Sequence, residues 1–204
     1  MLRSILFTLL GYISGSVTYA RLFAALLRKG DIVEKSPDRN PGTANAFTYG
    51  GFACGVLTLC FELMKGFAPV FAYLNTAGPT SPYGLTFVIV APVVGHAFSV
   101  FHGFRGGKGI AVSFGALLGL MPTVWIPAVV LAVFFIFFSV VLRIDPHFYR
   151  TLVTFLVSAA VMAICPVGLP VFLGFASITA VVILKLHMSS EEREKIKVKL
   201  LWMH

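Results

Sequence analysis

Apolar residues in this chain come in long unbroken runs separated by short polar joints. Seven runs can be drawn, at about 4–27, 50–73, 84–101, 109–121, 124–142, 151–165 and 168–186. A helix needs roughly 20 residues to cross ~30 Å of hydrocarbon, and most of the runs approach that length. The fourth and sixth are shorter and must be broken, tilted or buried among the others. The pattern predicts an all-α, polytopic integral membrane protein of about seven transmembrane helices, with one domain over 1–204 and no separate soluble part. Arg3 ahead of the first run resembles the start of a signal peptide. Arg21 interrupts the place where cleavage is expected and more runs follow, so the first is read as a retained span.

Composition agrees with that reading. The 204 residues are 58% hydrophobic and 12% charged, about half the charged share of a soluble domain, and the mean hydropathy is +0.91. Cys54, Cys60 and Cys165 all fall inside apolar runs, which gives neither a disulfide framework nor a metal-ligand spacing. They are read as buried packing residues.

Charge adds an orientation. Segments 28–49, 102–108, 143–150 and 185–204 hold 4, 2, 2 and 5 Lys/Arg, which is 13 of the 16. The alternate connections 74–83, 122–123 and 166–167 hold none. Positive loops stay cytoplasmic, so the N-terminus is expected outside and the C-terminus in the cytoplasm. The net charge of +8 is then mostly topology. No basic stripe interleaved with aromatics lies outside the spans, so no nucleic-acid partner is expected. The tail "EEREKIKVKL" (Glu191 to Leu200) reads as amphipathic and basic, either lying on the anionic leaflet or ending as a solvated helix.

Two loops expected on the cytoplasmic side carry the unusual chemistry. In "GDIVEKSPDRNPGTANAF" (Gly30 to Phe47), Pro41-Gly42 marks a turn, and Asn40, Thr43 and Asn45 surround it with small hydrogen-bonding side chains. These suit a polar ligand; equally, they suit a good turn and a helix cap. In "GHAFSVFHGFRGGKG" (Gly95 to Gly109), Gly106, Gly107 and Gly109 allow close backbone approach, and Arg105 and Lys108 add full charges suited to phosphate. The run that follows is too short to span, so a half-helix should start there with its unpaired N–H groups facing an anion. The pattern is not a P-loop, because Gly109 follows Lys108. Its simpler alternative is a topology-setting loop with glycines for close helix packing.

Within the second run, Glu62 and Lys65 share a helical face. Such a pair either faces a cavity or serves as a structural ion pair. His96 ends the third run, where a lone histidine is ordinarily a hydrogen-bonding residue. Ser16 lies beside Gly11 and Gly15 in a small-residue packing context.

In this order, "GYISGSVTYA", "GDIVEK", "NPGTANAF", "FELMKG" and "GHAFSVFHGFRGGKGIAVSFG" resemble the bacterial acyl-phosphate:glycerol-3-phosphate acyltransferases, the PlsY family. The match covers roughly the first 120 residues, and the combination is specific where no single piece is. The resemblance implies a seven-helix enzyme of the bacterial inner membrane with its site at the cytoplasmic face. It implies transfer of a fatty acyl group from acyl phosphate to the 1-hydroxyl of glycerol-3-phosphate, giving lysophosphatidic acid and phosphate for phospholipid synthesis. No metal, cofactor or acyl-CoA is expected. The acyltransferase signature His-x4-Asp is missing after His96, His102, His147 and His187.

On this reading Lys108 and Asn45 are catalytic candidates, with His96 and His187 as weaker ones for orienting the acceptor hydroxyl. Arg39, Asn40, Gly42 and Thr43 would hold glycerol-3-phosphate. Arg105, Gly106, Gly107 and Gly109 would bind phosphate, Lys65 balanced by Glu62 would reach the same pocket, and Ser16 completes the candidate set. The sequence leaves open whether the hydroxyl proton passes to a substrate phosphate. The chain also departs from the family. A customary Arg is Thr48, for which Arg39 is the candidate substitute; "GSGN" has become "SPDRN"; Ser99 replaces a Pro; Arg105 replaces a Lys; and the His-Arg-x-Asn-Ile element survives only as His187 in "KLHMSSEEREKI". Two rivals therefore stand beside the enzyme: a non-catalytic carrier for an organic anion, and an inactive or regulatory paralogue. Acyl-chain preference and oligomeric state are not legible.

Overall fold

The computed structural model describes residues 1–78, 81, 83–121, 123–190 and 193–201. Pro122 in one predicted connection and Glu191 and Glu192 of the tail lie outside the described residues.

The first run forms two helices, α1 (Leu2–Ser16) and α2 (Tyr19–Leu26), bent by 42° at the break between them. Two short helices follow in the first polar loop, α3 (Ile32–Lys35) and α4 (Thr43–Gly50). Then come α5 (Phe52–Asn75), α6 (Gly84–Ala97), α7 (Ile110–Leu118), α8 (Ile126–Ile136), α9 (His147–Met162) and α10 (Leu169–Met188). A single 3₁₀ turn, Val100–His102, follows α6, and a π-helical turn, Phe137–Val141, prolongs α8. Each predicted run has a helix within it. Among the described residues three helices are long and apolar enough to cross a bilayer, or four if the bent pair counts as one span. The nine-residue α7 is instead buried against its neighbours.

Small residues set the helix spacing. Between α1 and α6, a Cβ on Gly15 would strike the Pro92 carbonyl and one on Gly95 the Tyr12 carbonyl. Between α5 and α7, Gly66 and Gly115 meet the carbonyls of Val112 and Leu63 in the same reciprocal way. Backbones this close exclude any larger side chain. The core then fills with Tyr73, Ile89, Leu117, Leu131, Phe155 and Phe175, drawn from α5 to α10. Leu6, Leu9, Ile13, Val133, Ile136 and Leu184 face outward, as lipid contact requires.

A second, smaller core of Ala20, Phe23, Ile32, Val33, Ala46 and Cys54 pins the first polar loop onto α2 and α5. Cys54 packs as expected. Cys60 is exposed and Cys165 half-buried, so the reading of all three cysteines as buried is corrected: an apolar run has an outer face as well as an inner one.

The tail also differs from expectation. Lys197–Leu200 is a strand, β2, paired antiparallel with β1 (Leu142–Asp145), with Leu142 opposite Leu200 and Asp145 opposite Lys197. It is neither a surface helix nor a helix end. Alternation in "KIKVKL" has period two, which belongs to a strand, and the edge after α8 supplies the partner. The protein is therefore predominantly rather than wholly helical.

Candidate active site

The first polar loop is organised by Asp38. Its Oδ1 accepts hydrogen bonds from the Asn45 amide at 2.8 Å and the Asn40 N–H at 3.3 Å, and its Oδ2 pairs with Lys108 Nζ at 2.9 Å. Asn45 also donates to the Asn40 carbonyl at 2.8 Å. Its amide N–H groups are thus spent on holding the loop. Burial pushes the Asp38 carboxyl up, but Lys108, Asn45 and the Asn40 N–H outweigh it and hold the group below its ordinary value.

The second loop is shaped by His96. The Gly107 N–H donates to the His96 carbonyl at 3.1 Å. A Cβ on Gly106 would collide with that carbonyl, and one on Gly107 with the imidazole ring. Gly109, at φ +80°, takes the left-handed conformation that turns the chain into α7. Lys108 is thereby fixed in a buried position two residues before the start of α7.

Behind this lies a fully buried cluster. Glu62 Oε2 is 2.8 Å from Lys65 Nζ and 2.9 Å from His96 Nδ1, and Lys65 Nζ is 2.9 Å from the same His96 nitrogen. Lys65 also donates to the Val17 carbonyl at 2.5 Å, and Glu62 Oε1 accepts the Tyr19 N–H at 3.3 Å. Val17 and Tyr19 flank the break between α1 and α2, where backbone groups lose their helical partners and apolar surroundings offer no water. Lys65 and Glu62 satisfy one carbonyl and one amide there. This geometry gives the pair a structural task.

A cavity of about 430 Å³ opens where these parts meet. Its polar end carries Asp38, Asn40, Gly42, Thr43, Asn45, Glu62, His96, Lys108 and Gly109; its apolar end carries Leu59, Ile110, Phe114 and Phe135. The N-termini of α4 and α7 both reach it, through Thr43 and Ile110, and each brings unpaired N–H groups and a positive dipole end. The buried Thr43 hydroxyl has no hydrogen-bond partner among the described residues.

The remaining candidates lie elsewhere. Arg105 and Arg39 line a different hollow, of about 460 Å³, with Arg21, Asp31, Glu34 and Gly106; Arg105 and Lys108 therefore do not share one cavity. Gly107 lines a third recess with Gly106 and Lys108. Lys65 sits behind the cavity wall. Ser16 is buried, donating to the Tyr12 carbonyl at 2.8 Å while its own carbonyl accepts from Ser99 at 2.6 Å. His187 is exposed; its Nδ1–H donates to the Ile183 carbonyl at 2.9 Å and its ring meets Phe148 edge-on. Thr48 is exposed and bonded back to the Ala44 carbonyl at 3.0 Å, away from the cavity.

Sequence reasoning missed Asp38 and His147. Asp38 offered one signal, as the only acid between Lys35 and Glu62. His147 lines the cavity from the start of α9, and nothing in its local sequence announced that.

The model of the glycerol-3-phosphate acyltransferase family matches residues 5–196 of the chain. Glycerol-3-phosphate acyltransferases from Escherichia coli O1:K1 / APEC and Shigella boydii serotype 18 are each 35% identical over 131 residues. That stretch is 61% of this chain and 62% of each relative, so the chain spans under two thirds of their length. Among solved structures, PlsY (YgiH), an integral membrane glycerol 3-phosphate acyltransferase, in its lysophosphatidic acid form has 25% identity and a TM-score of 0.73, covering 89% of this chain and 87% of that one. Its glycerol 3-phosphate form, at 24% identity and a TM-score of 0.76 over 91% and 88% of the two chains, shares the fold.

Proposed function

The chain belongs to the glycerol-3-phosphate acyltransferase family, and we propose that it transfers a fatty acyl group from acyl phosphate to the 1-hydroxyl of glycerol-3-phosphate. The observation that carries this is the double character of the main cavity. Its apolar end, with Leu59, Phe114 and Phe135, suits an acyl chain, and its polar end, with Lys108 and two helix N-termini, suits a phosphoester.

In this reaction the acceptor hydroxyl oxygen bonds to the acyl carbon, the bond from that carbon to the phosphate oxygen breaks, and inorganic phosphate leaves with the hydroxyl proton. Acyl phosphate is already activated, so positioning and charge stabilisation suffice. Lys108 and the first N–H groups of α7 stabilise the negative charge that develops on the carbonyl and phosphate oxygens. Thr43 and Asn40 orient the acceptor. Asp38, held below its ordinary value chiefly by Lys108, is a poor base, and the proton is assigned to the departing phosphate.

The positive loops at one end of the bundle support a cytoplasmic site in the bacterial inner membrane, with the N-terminus outside and seven spans. Purified protein given palmitoyl phosphate and glycerol-3-phosphate should release phosphate and form lysophosphatidic acid, and Lys108→Ala should not. Equal rates from both proteins would refute the assignment. Labelled-anion uptake into proteoliposomes without turnover would favour a carrier.

A further inference from the structure

The β1–β2 ribbon continues a lipid-facing surface. Val129, Val133, Ile136 and Val140, on α8 and the π-helical turn that prolongs it, are exposed apolar residues, and Leu142 follows directly as the first residue of β1. The Leu201 N–H donates to the Val141 carbonyl at 2.9 Å, so the end of β2 is tied to the end of that helix. α9 begins at His147, two residues after β1 ends. The ribbon therefore sits where the chain leaves one apolar helix and enters the next, at the edge of the hydrocarbon.

Its two faces differ. Residues opposite each other in an antiparallel pair share a face. Leu142 with Leu200 and Ile144 with Val198 make one face apolar, while Arg143 with Lys199 and Asp145 with Lys197 make the other charged. β1 packs against α9 and buries Ile144, at 6% exposure. On β2, the outer strand, Val198 and Leu200 remain 55% and 42% exposed, and Ile196 extends their row at 55%. The apolar face thus outruns the bundle that covers it.

Residues 193–201 hold four cations, Arg193, Lys195, Lys197 and Lys199, and one acid, Glu194. Glu194 takes up Lys197 at 3.4 Å, and Asp145 takes up Arg143 at 2.7 Å. Lys195 and Lys199 have no ion pair among the described residues. Exposed apolar side chains alternating with lysines fit the boundary between acyl chains and anionic headgroups, where lysine stems reach sideways to lipid phosphates. The same lysines disfavour a second copy as the occupant, because charge along an edge strand resists strand-to-strand pairing.

We propose that the β1–β2 ribbon docks on anionic phospholipid, with Val198 and Leu200 entering the acyl–headgroup boundary and Lys195, Lys197 and Lys199 engaging lipid phosphates. Docking holds the connection between α8 and α9, and with it His147 at the edge of the main cavity. The inference rests on the membrane embedding of the chain and not on the activity proposed above.

Amide hydrogen exchange is followed by mass spectrometry on the full chain in nanodiscs holding one copy each, made of phosphatidylcholine alone or mixed with phosphatidylglycerol. Phosphatidylglycerol slows exchange in residues 193–201 about tenfold or more, as several lysines near an anionic surface require, and leaves α10 unchanged. High salt reverses the slowing. Lys195→Gln/Lys197→Gln/Lys199→Gln, all at exposed positions, abolishes it, and the corresponding triple Arg variant keeps it. Equal exchange in the two kinds of nanodisc overturns the proposal, as does slowing that survives the Gln substitutions or high salt. Protection that instead grows with protein concentration in detergent identifies a second copy on the β2 edge and overturns it too.

Discussion

Lys65 Nζ lies 2.5 Å from the carbonyl oxygen of Val17, the residue at which the first apolar run breaks into α1 and α2. An intramembrane lysine ordinarily suggests transport or catalysis. Here it closes a gap in the backbone hydrogen bonding, with Glu62 serving the amide on the other side of the break. Lys65→Met should therefore leave Glu62 buried without its cation and destabilise the protein by about 3–5 kcal/mol. The double variant Glu62→Leu/Lys65→Met should recover part of that loss. Thermal unfolding in detergent reads both, and a harmless single variant would remove the structural role.

Removing Lys108 tests the chemistry and the loop together. Lys108→Ala should lower kcat by about 10²–10³, the range for one preorganised charge-stabilising donor, and should also lower the melting temperature, since Asp38 loses its ion-pair partner. Single-turnover phosphate release measures the effect. A drop confined to KM would make Lys108 a uniform binder of substrate.

Asp38 gives the loop a pH dependence with a defined sign. Its folded-state carboxyl is held below the ordinary value, with burial opposing and Lys108 and the loop donors prevailing. The unfolded state therefore binds more protons through that range. The stabilisation is present above the unfolded carboxyl's pKa of about 4 and is lost as pH falls through the folded one. Asp38→Asn should flatten this acid limb, seen as proteolytic nicking of the 36–42 loop against pH. Identical acid profiles for the two proteins would exclude Asp38 as the cause.

Gly107 tests the packing of the second loop. Gly107→Ala places a methyl against the His96 ring, and overpacking of this kind costs about 1–3 kcal/mol. Activity should fall with it, since the same turn holds Lys108. Arg105→Gln, on the separate hollow, should leave turnover through the main cavity within about threefold, a change of under 1 kcal/mol. A larger loss would bring Arg105 into the site.

Local pattern carried much of this protein and stopped at definite places. Continuous apolar runs fixed the helices from α5 to α10 because burial of backbone polar groups in lipid leaves few alternatives. The half-helix after Gly109 was readable from glycine, charge and a short run. "KIKVKL" was legible as a strand only by period, and its partner across β1 lies more than fifty residues away. Asn45 read as a catalytic candidate and does line the main cavity, but that its amide N–H groups bond to Asp38 and the Asn40 carbonyl depends on the loop's closed shape.

The sequence by itself determined a membrane-embedded helical bundle, two charged glycine- and asparagine-bearing loops, and the family to which they belong, because hydropathy and short motifs are local properties. Only the tertiary structure decided that Lys108 faces Asp38 while Arg105 lines another hollow, that Glu62 and Lys65 mend a broken helix, and that Lys185 lines a recess with Asp38 and Lys108. Those relations join segments that lie far apart in the sequence. Distance in space between side chains is set by packing, and no spacing along the sequence encodes it.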